Sequence, residues 1–252
     1  MKVRDEADRK ALRKIGQIVG EVLHEMLAAV QPGMTTLELD QIGKNLLAKH
    51  GARSAPILLY QFPGATCISV APIVAHGIPD QTVLKAGDLI NIDVSAELNG
   101  YFGDNGGSMV VPGNNNKKTK KRQKHVEDGK AIFEEILSFI KADVLFADLG
   151  RHMDNTAKAK GYTLIRNLCS HGVGLHLHEE PRYILPFPDY NDTRRIDENL
   201  VITIEPFISK GSREIYQGTD GWSLIPTKGE DTVQFEHSMI IGKKGIELLT
   251  LP

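Results

Sequence analysis

Ile90 to Ser108 reads INIDVSAELNGYFGDNGGS. Ile90, Ile92, Val94 and Ala96 alternate with Asn91, Asp93, Ser95 and Glu97, the period-two pattern of a strand with one apolar face. Asn99-Gly100 is a strong hairpin signal, because both residues tolerate positive φ. If the loop is those two residues, Glu97 faces Phe102 and Ser95 faces Asp104. Asp93 lies on the same face as Ser95 and becomes the diagonal neighbour of Asp104, roughly 7–8 Å away. Two carboxylates then stand on one face of one hairpin, within reach of a common cation. A solvated polar face is the plain alternative, and the rest of the chain decides between them.

The chain has 252 residues, 41% hydrophobic and 25% charged, with a net charge of −2. That length can bury most of its apolar surface without disulfide or metal staples. The charge gives no general attraction to nucleic acid or an anionic membrane. Cys67 and Cys169 are not spaced as a metal-binding pair and are expected to be reduced. The first residues, MKVRDEADRKALRK, lack the apolar core of a signal peptide, and no run of about 18 apolar residues follows. These features lead us to expect a cytoplasmic protein without a membrane segment.

Apolar residues from Ala11 to Val30 recur at three- and four-residue steps and predict a long amphipathic helix, stopped by Gln31-Pro32-Gly33. Thr35 with Glu38 is a capping-box pattern that opens a second helix ending near Gly51. Strands are predicted at Ala65–Ala71, Asp88–Glu97 and Tyr101–Val111. The loop Pro112–Asn116 leads into a basic run, Lys117–Lys124, and then a helix marked by Val126, Ile132, Phe133, Ile136, Leu137 and Ile140. A shorter helix, about Asp148–Lys160, precedes predicted strands at Tyr162–Leu168, Leu200–Ile208, Thr232–Ile241 and Ile246–Leu251. The order helix, helix, strands occurs twice and divides near Pro112. We therefore expect an α+β chain forming one domain over 1–252, with pseudo-two-fold halves of about 1–112 and 113–252.

Further acids and histidines stand out by position. Glu205 interrupts the apolar stretch LVITIEPFI, and Glu236 the stretch TVQFEHSMII, where it shares a face with Gln234 and Ser238. Ionised carboxylates amid apolar strands are costly unless paired or metal-bound. SHGVGLHLHEEP, 170–181, offers His171, His176 and His178, and alternation would put the last two on one side of an extended segment. His76 precedes Gly in AHGIPD, 75–80. If Asp93, Asp104, Glu205 and Glu236 converge, they cannot all stay ionised unaided. Two divalent cations would neutralise them. Oxygen ligands with one imidazole suit Mn(II), Fe(II) or Co(II) more than a structural zinc. A water bridging two such ions becomes a hydroxide nucleophile near neutral pH, which is chemistry for amide or phosphoester hydrolysis.

With these motifs the chain resembles the type I methionine aminopeptidases, bacterial in form, of the pita-bread metallopeptidase fold. The motifs are AHGIPD at 75–80, INIDV at 90–94, GYFGD at 100–104, SHGVGLHLHEEP at 170–181, TIEPFI at 203–208, DGW at 220–222 and QFEHSMII at 234–241. Their order and intervals cover essentially the whole chain. The resemblance implies a curved, mainly antiparallel sheet and a dinuclear site holding two divalent ions (Co, Mn or Fe, with Zn also allowed). Asp93 would be a terminal ligand, Asp104 and Glu236 bridging ligands, and His171 and Glu205 would complete the second ion. Glu205 would also be the general base, His178 would hydrogen-bond the scissile carbonyl, and His76 would contact the leaving side. Tyr60, Phe62, Cys67, Leu177 and Trp222 match the methionine pocket, whose apolar walls suit a thioether. The implied reaction is attack of metal-bound hydroxide on the first peptide carbonyl, removing the initiator methionine of nascent proteins when the second residue is small. The chain is then expected to act as a monomer.

The sequence departs from the family pattern at Asn105-Gly106-Gly107, where Ser or Thr more often follows the Asp, and at Leu177, commonly Phe. Ile140–Asp143 and Asp197–Asn199 replace the usual Pro-Gly turn of the second half. Two other functions compete. A relative cutting before proline would carry an added N-terminal domain, for which motifs beginning at residue 75 leave no room. A ligand-free binding module would lack some of the five ligands. The basic run 117–124 is either a solvated helix start or a docking surface for ribosomal RNA.

Overall fold

The computed structural model describes residues 1–252. Five helices form: α1 (Glu6–Ala29), α2 (Thr36–Lys49), α3 (Ala55–Tyr60), α4 (Lys117–Phe139) and α5 (Phe146–Ala159). The strands of the first half are β1 (Arg53–Ser54), β2 (Cys67–Val70), β3 (Leu89–Leu98) and β4 (Tyr101–Val110). Those of the second are β5 (Thr163–Leu164), β6 (Ser170–Gly172), β7 (Glu179–Ile184), β8 (Val201–Ile204), β9 (Phe207–Ser209), β10 (Ile215–Gln217), β11 (Leu224–Pro226), β12 (Thr232–Ile241) and β13 (Ile246–Leu248). All pairings are antiparallel, and the main sheet runs β1-β3-β4-β12-β8-β6-β7. No helix is long and apolar enough to cross a membrane.

The hairpin forms in the expected register. Ser95 pairs with Asp104 and Glu97 with Phe102. Asn99 and Gly100 take φ of 53° and 85°, the double left-handed turn that matches strand twist. Gly100 donates its N–H to Glu97 Oε1, which locks the turn.

The apolar stripe of α1 packs on this hairpin. Ile15, Ile18, Val19, Val22 and Met26 are fully buried with Ile90, Ile92 and Val94. Each such side chain contributes about 1.5–3 kcal/mol through burial. Thr35 and Glu38 form the reciprocal capping box of α2.

The second half repeats the first closely. α1 and α4 have 24 and 23 residues, and α2 and α5 have 14 each. Val30 and Ile140 end the long helices with the same N–H bond to a leucine carbonyl three residues back. Gly33 (φ 93°) and Asp143 (φ 68°) then make equivalent turns, donating to Leu84 O and Ile196 O. Asp143 and Asn199 therefore do the work of glycine, as short polar side chains that tolerate the left-handed region.

Several elements differ from expectation, α3, β7, β10 and β11 among them, for which the sequence predicts no element. α4 starts at Lys117 behind an Asn116 N-cap, so the basic run is its first two turns. Tyr162–Leu168 keeps only two strand residues, Thr163–Leu164. Leu200–Ile208 is two strands, because Pro206 has no N–H to continue a ladder; β8 pairs one stretch of β12 and β9 another. Residues 174–178 are bent rather than extended, with Gly174 at φ 145° and His176 exposed.

Candidate metal centre

Sheet register assembles the site. In one cross-strand row, Cys67 of β2 lies opposite Asp93 of β3, Asp93 opposite Gly106 of β4, and Gly106 opposite Glu236 of β12. In the next row toward the hairpin turn, Ser95 lies opposite Asp104, while Ser238, Thr203 and His171 face one another across β12, β8 and β6. Ser238 closes that row by bonding Asp104 twice through the main chain: its Oγ accepts from Asp104 N at 3.1 Å and donates to Asp104 O at 2.8 Å. Glu205 leaves the end of β8 at the Pro206 break, and its N–H donates to Ser170 Oγ at 2.9 Å. Strand alternation points these side chains to one face of the sheet.

They converge on one cavity of about 210 Å³. It is lined by Asp93, Asp104, His171, Glu205 and Glu236, and by His76 and His178. Tyr60, Phe62, Cys67, Leu177 and Trp222 complete the expected set on its walls. All twelve residues expected to build the site are thus brought together. His176 is not among them; both it and His178 are exposed on the bent segment, and only His178 lines the cavity. Pro56 and Ser95 also line the cavity, and neither was given a role from sequence. Pro56 follows Ser54-Ala55, whose N-cap serine with an early proline signals α3.

The electrostatics are those of crowded buried acids. Burial, with the negative charges of Glu236, Asp93 and Glu205, pushes the Asp104 carboxyl well above its ordinary value. Burial and the charges of Glu236 and Asp93 do the same to Glu205. Glu236 is raised to about 8, mainly by burial, and Asp93 to about 7 for the same reason. The neighbouring Asp104 carboxyl partly opposes that shift. Burial, then the neighbouring His178, drives His171 down to about 3.

These observations fit divalent cations. Asp104, His171 and Glu236 each offer one ligand atom within 4.8 Å of the others. His171 Nε2 is 3.8 Å from Asp104 Oδ2 and 3.5 Å from Glu205 Oε1. His171 Nδ1 lies 2.9 Å from Gly172 O and donates there, which leaves the Nε2 lone pair facing the carboxylates. Glu236 is held at both oxygens: Thr203 Oγ1 donates to Oε1 at 2.6 Å and Gln234 Nε2 to Oε2 at 2.8 Å. Two dications would supply the positive charge that four carboxylates lack.

The other wall is apolar and aromatic. Phe62 and Trp222 meet edge-on at 5.1 Å between ring centroids. Tyr60 OH lies 2.7 Å from His178 Nδ1 and bridges the mouth. Desolvation in the cavity lowers the His76 imidazole and, together with the charge of His76, that of His178, which favours their neutral forms.

Comparison with known proteins agrees with this geometry. Methionine aminopeptidase of Staphylococcus epidermidis is 40% identical over 250 residues, covering 99% of this chain and 98% of that one. Methionine aminopeptidase 2 of Bacillus subtilis is 40% identical over 251 residues, covering 99% of each. The crystal structure of methionine aminopeptidase from Rickettsia prowazekii superimposes with a TM-score of 0.92 at 28% identity, covering 100% of both chains. The pita-bread fold is shared along the whole length. With the model of metallopeptidase family M24 matching residues 10–243, the chain belongs to that family.

Proposed function

We propose that this protein is a dinuclear metalloaminopeptidase that removes the N-terminal methionine of polypeptides whose second residue is small. One observation carries the reading: five ligand-type side chains and an apolar aromatic wall share one cavity. The two relatives at 40% identity described above are both methionine aminopeptidases. Residues 1–252 act as a single catalytic domain, as a monomer in the cytoplasm, where new chains are met.

Asp93, Asp104, His171, Glu205 and Glu236 would hold two ions, with Mn(II), Fe(II) or Co(II) favoured over zinc by the oxygen-rich set. When bound, the ions keep the carboxylates ionised and activate water as a nucleophile. The methionine side chain enters between Phe62, Trp222, Tyr60, Cys67 and Leu177, where sulfur–aromatic contacts favour a thioether. Glu205 lies beside His171 at the cavity wall, 3.5 Å from its Nε2, where its carboxylate can take a proton from the attacking water and pass it to the departing amine. Tyr60 OH lies 2.7 Å from His178 Nδ1; with the tyrosine donating, a proton stands on Nε2 for the oxygen of the scissile carbonyl. His76, neutral and at the mouth, donates on the leaving side.

Lys117, Lys118, Lys120, Lys121 and Lys124 are exposed along the first turns of α4. Arg122 of the same run is buried and holds Asp231 through two hydrogen bonds, at 3.1 and 3.0 Å. The lysines form the face that would dock on ribosomal RNA. Charge reversal at Lys117, Lys118, Lys120 and Lys121, with Arg122 kept, should weaken ribosome co-sedimentation in a salt-dependent way. Unchanged co-sedimentation refutes the docking.

The activity is tested with metal-free protein reconstituted with Mn(II), Co(II) or Fe(II) and offered Met-Ala-Ser and Xaa-Pro peptides side by side. Methionine release from Met-Ala-Ser is expected. Preferential cleavage before proline would overturn the reading.

A further inference from the structure

Behind Glu236 lies a chain of buried hydrogen bonds that the proposed chemistry does not use. Asn91 Nδ2 donates to Gln234 Oε1 at 2.8 Å, and Gln234 Nε2 donates to Glu236 Oε2 at 2.8 Å. Asn91 Nδ2 also reaches Ser108 Oγ at 3.1 Å, and Ser108 Oγ bonds the Gln234 main chain at both N and O, at 2.9 and 3.1 Å. Asn91, Gln234 and Glu236 are all buried. An amide nitrogen can only donate, so Asn91 requires the oxygen end of Gln234 and thereby aims the nitrogen end at Glu236. The space for that amide is the missing side chain of Gly106. A Cβ there would stand 2.6 Å from Gln234 Oε1 and 2.7 Å from its Nε2. Gly106 also occupies the row between Asp93 and Glu236.

We infer that Gln234 is a positioning residue for Glu236, fixed in its donating orientation by Asn91 and admitted by Gly106. The inference rests on Glu236 being a metal ligand. The hydrogen bond occupies one lone pair of Oε2, and Thr203 occupies one of Oε1. Each oxygen keeps its remaining lone pairs for the cavity, so the carboxylate is presented with both oxygens held rather than free to rotate. The unusual Asn105-Gly106-Gly107 segment thus has a purpose at its middle residue: it makes room for a support behind the metal centre.

Asn91→Asp tests the orientation without changing the shape. In the metal-loaded state, where the cations keep the neighbouring acids ionised, the carboxylate it introduces only accepts, so it draws Gln234 Nε2 to itself and turns Oε1 against Glu236. Metal-free wild type, Asn91→Asp, Asn91→Ala and Gly106→Ala are titrated with Mn(II) by calorimetry, and the unfolding midpoint of each metal-free protein is recorded. Asn91→Asp should weaken Mn(II) binding roughly 10–100-fold, the range for lost support behind a metal ligand. Its added negative charge alone would tighten cation binding, so a loss reports orientation. Asn91→Ala, which frees the amide without reversing it, should weaken binding less. A packing role predicts the opposite order, since Ala leaves a cavity and Asp does not. Gly106→Ala should also weaken binding, and it carries the test if Asn91→Asp does not fold. Wild-type Mn(II) affinity in Asn91→Asp, or a larger loss in Asn91→Ala, overturns the inference alone. No Mn(II) uptake by the wild type overturns the ligand assignment and the inference with it.

Discussion

Metal uptake by this site should expel protons, and a lower bound on their number follows from the structure. At pH 7, a Glu236 carboxyl raised to about 8 is about nine-tenths protonated, and an Asp93 carboxyl at about 7 is about half protonated. Asp104 and Glu205 are shifted in the same direction by burial and by their acidic neighbours, which can only add to that release. His171, lowered to about 3, is already neutral and releases none. Filling the site with two dications ionises all four acids, so at least about one proton leaves per protein at pH 7. The four titrate as a unit, so the total is better defined than any one share. The assay is calorimetric titration of metal-free protein with Mn(II) in two buffers of different ionisation enthalpy. The difference in observed heat gives the proton count directly. The count should fall as the pH is raised past 8, and affinity should rise with pH over the same interval. A heat independent of buffer would show that the four carboxyls are already ionised, and would refute the account of the site as crowded and charge-deficient.

The same shifts set the stability of the metal-free chain. Carboxyls with raised values bind more protons folded than unfolded, so their contribution to stability is lost as pH rises toward 8. The lowered histidines His125, His171 and His237 act in the opposite sense, but only below the ordinary imidazole value near 6.5. Between pH 6.5 and 8 the metal-free unfolding midpoint should therefore fall, and saturating Mn(II) should remove the fall; a midpoint that rises over this window without metal contradicts the assignment. His178→Ala should lower kcat by about 10²–10³-fold, the effect of deleting one donor to a developing oxyanion, with Mn(II) affinity retained. An equal loss of Mn(II) binding would make His178 part of the metal centre instead. Thr35→Ala removes half of the α2 capping box and should cost about 1 kcal/mol, read as a midpoint lower by about 2–4 °C with kcat unchanged.

Much of this was legible because the site is built from regular elements. The hairpin at Asn99-Gly100 carries its register in its own turn, and alternation along β3, β4 and β12 puts Asp93, Asp104 and Glu236 on one face. The methionine-pocket residues were reached by family resemblance, since nothing local distinguishes Phe62 or Leu177 from ordinary core. Glu205 stands out as a misplaced acid in an apolar run, but apolarity alone does not divide that run into two strands. Pro206 was the signal for the break, and the break is what swings Glu205 to the cavity edge. The helix α3 was missed, although Ser54 and Pro56 mark its start, because its exposed apolar residues Ile57, Leu58 and Leu59 show no buried stripe. The bend that separates His176 from His178 depends on the conformation of Gly174, which period-two reading cannot register. Asn91 was seen only as a polar strand residue. Its partner Gln234 lies 143 residues away, and only the assembled sheet brings the two amides together.

The central claim is a two-ion centre held by five residues. A crystal soaked in Mn(II) and measured at the manganese edge tests it most directly. The account predicts two anomalous peaks, both enclosed by Asp93, Asp104, His171, Glu205 and Glu236, with Asp104 and Glu236 contacting each. A single peak that leaves Asp93 or Glu205 uncoordinated, or peaks elsewhere on the molecule, would contradict it.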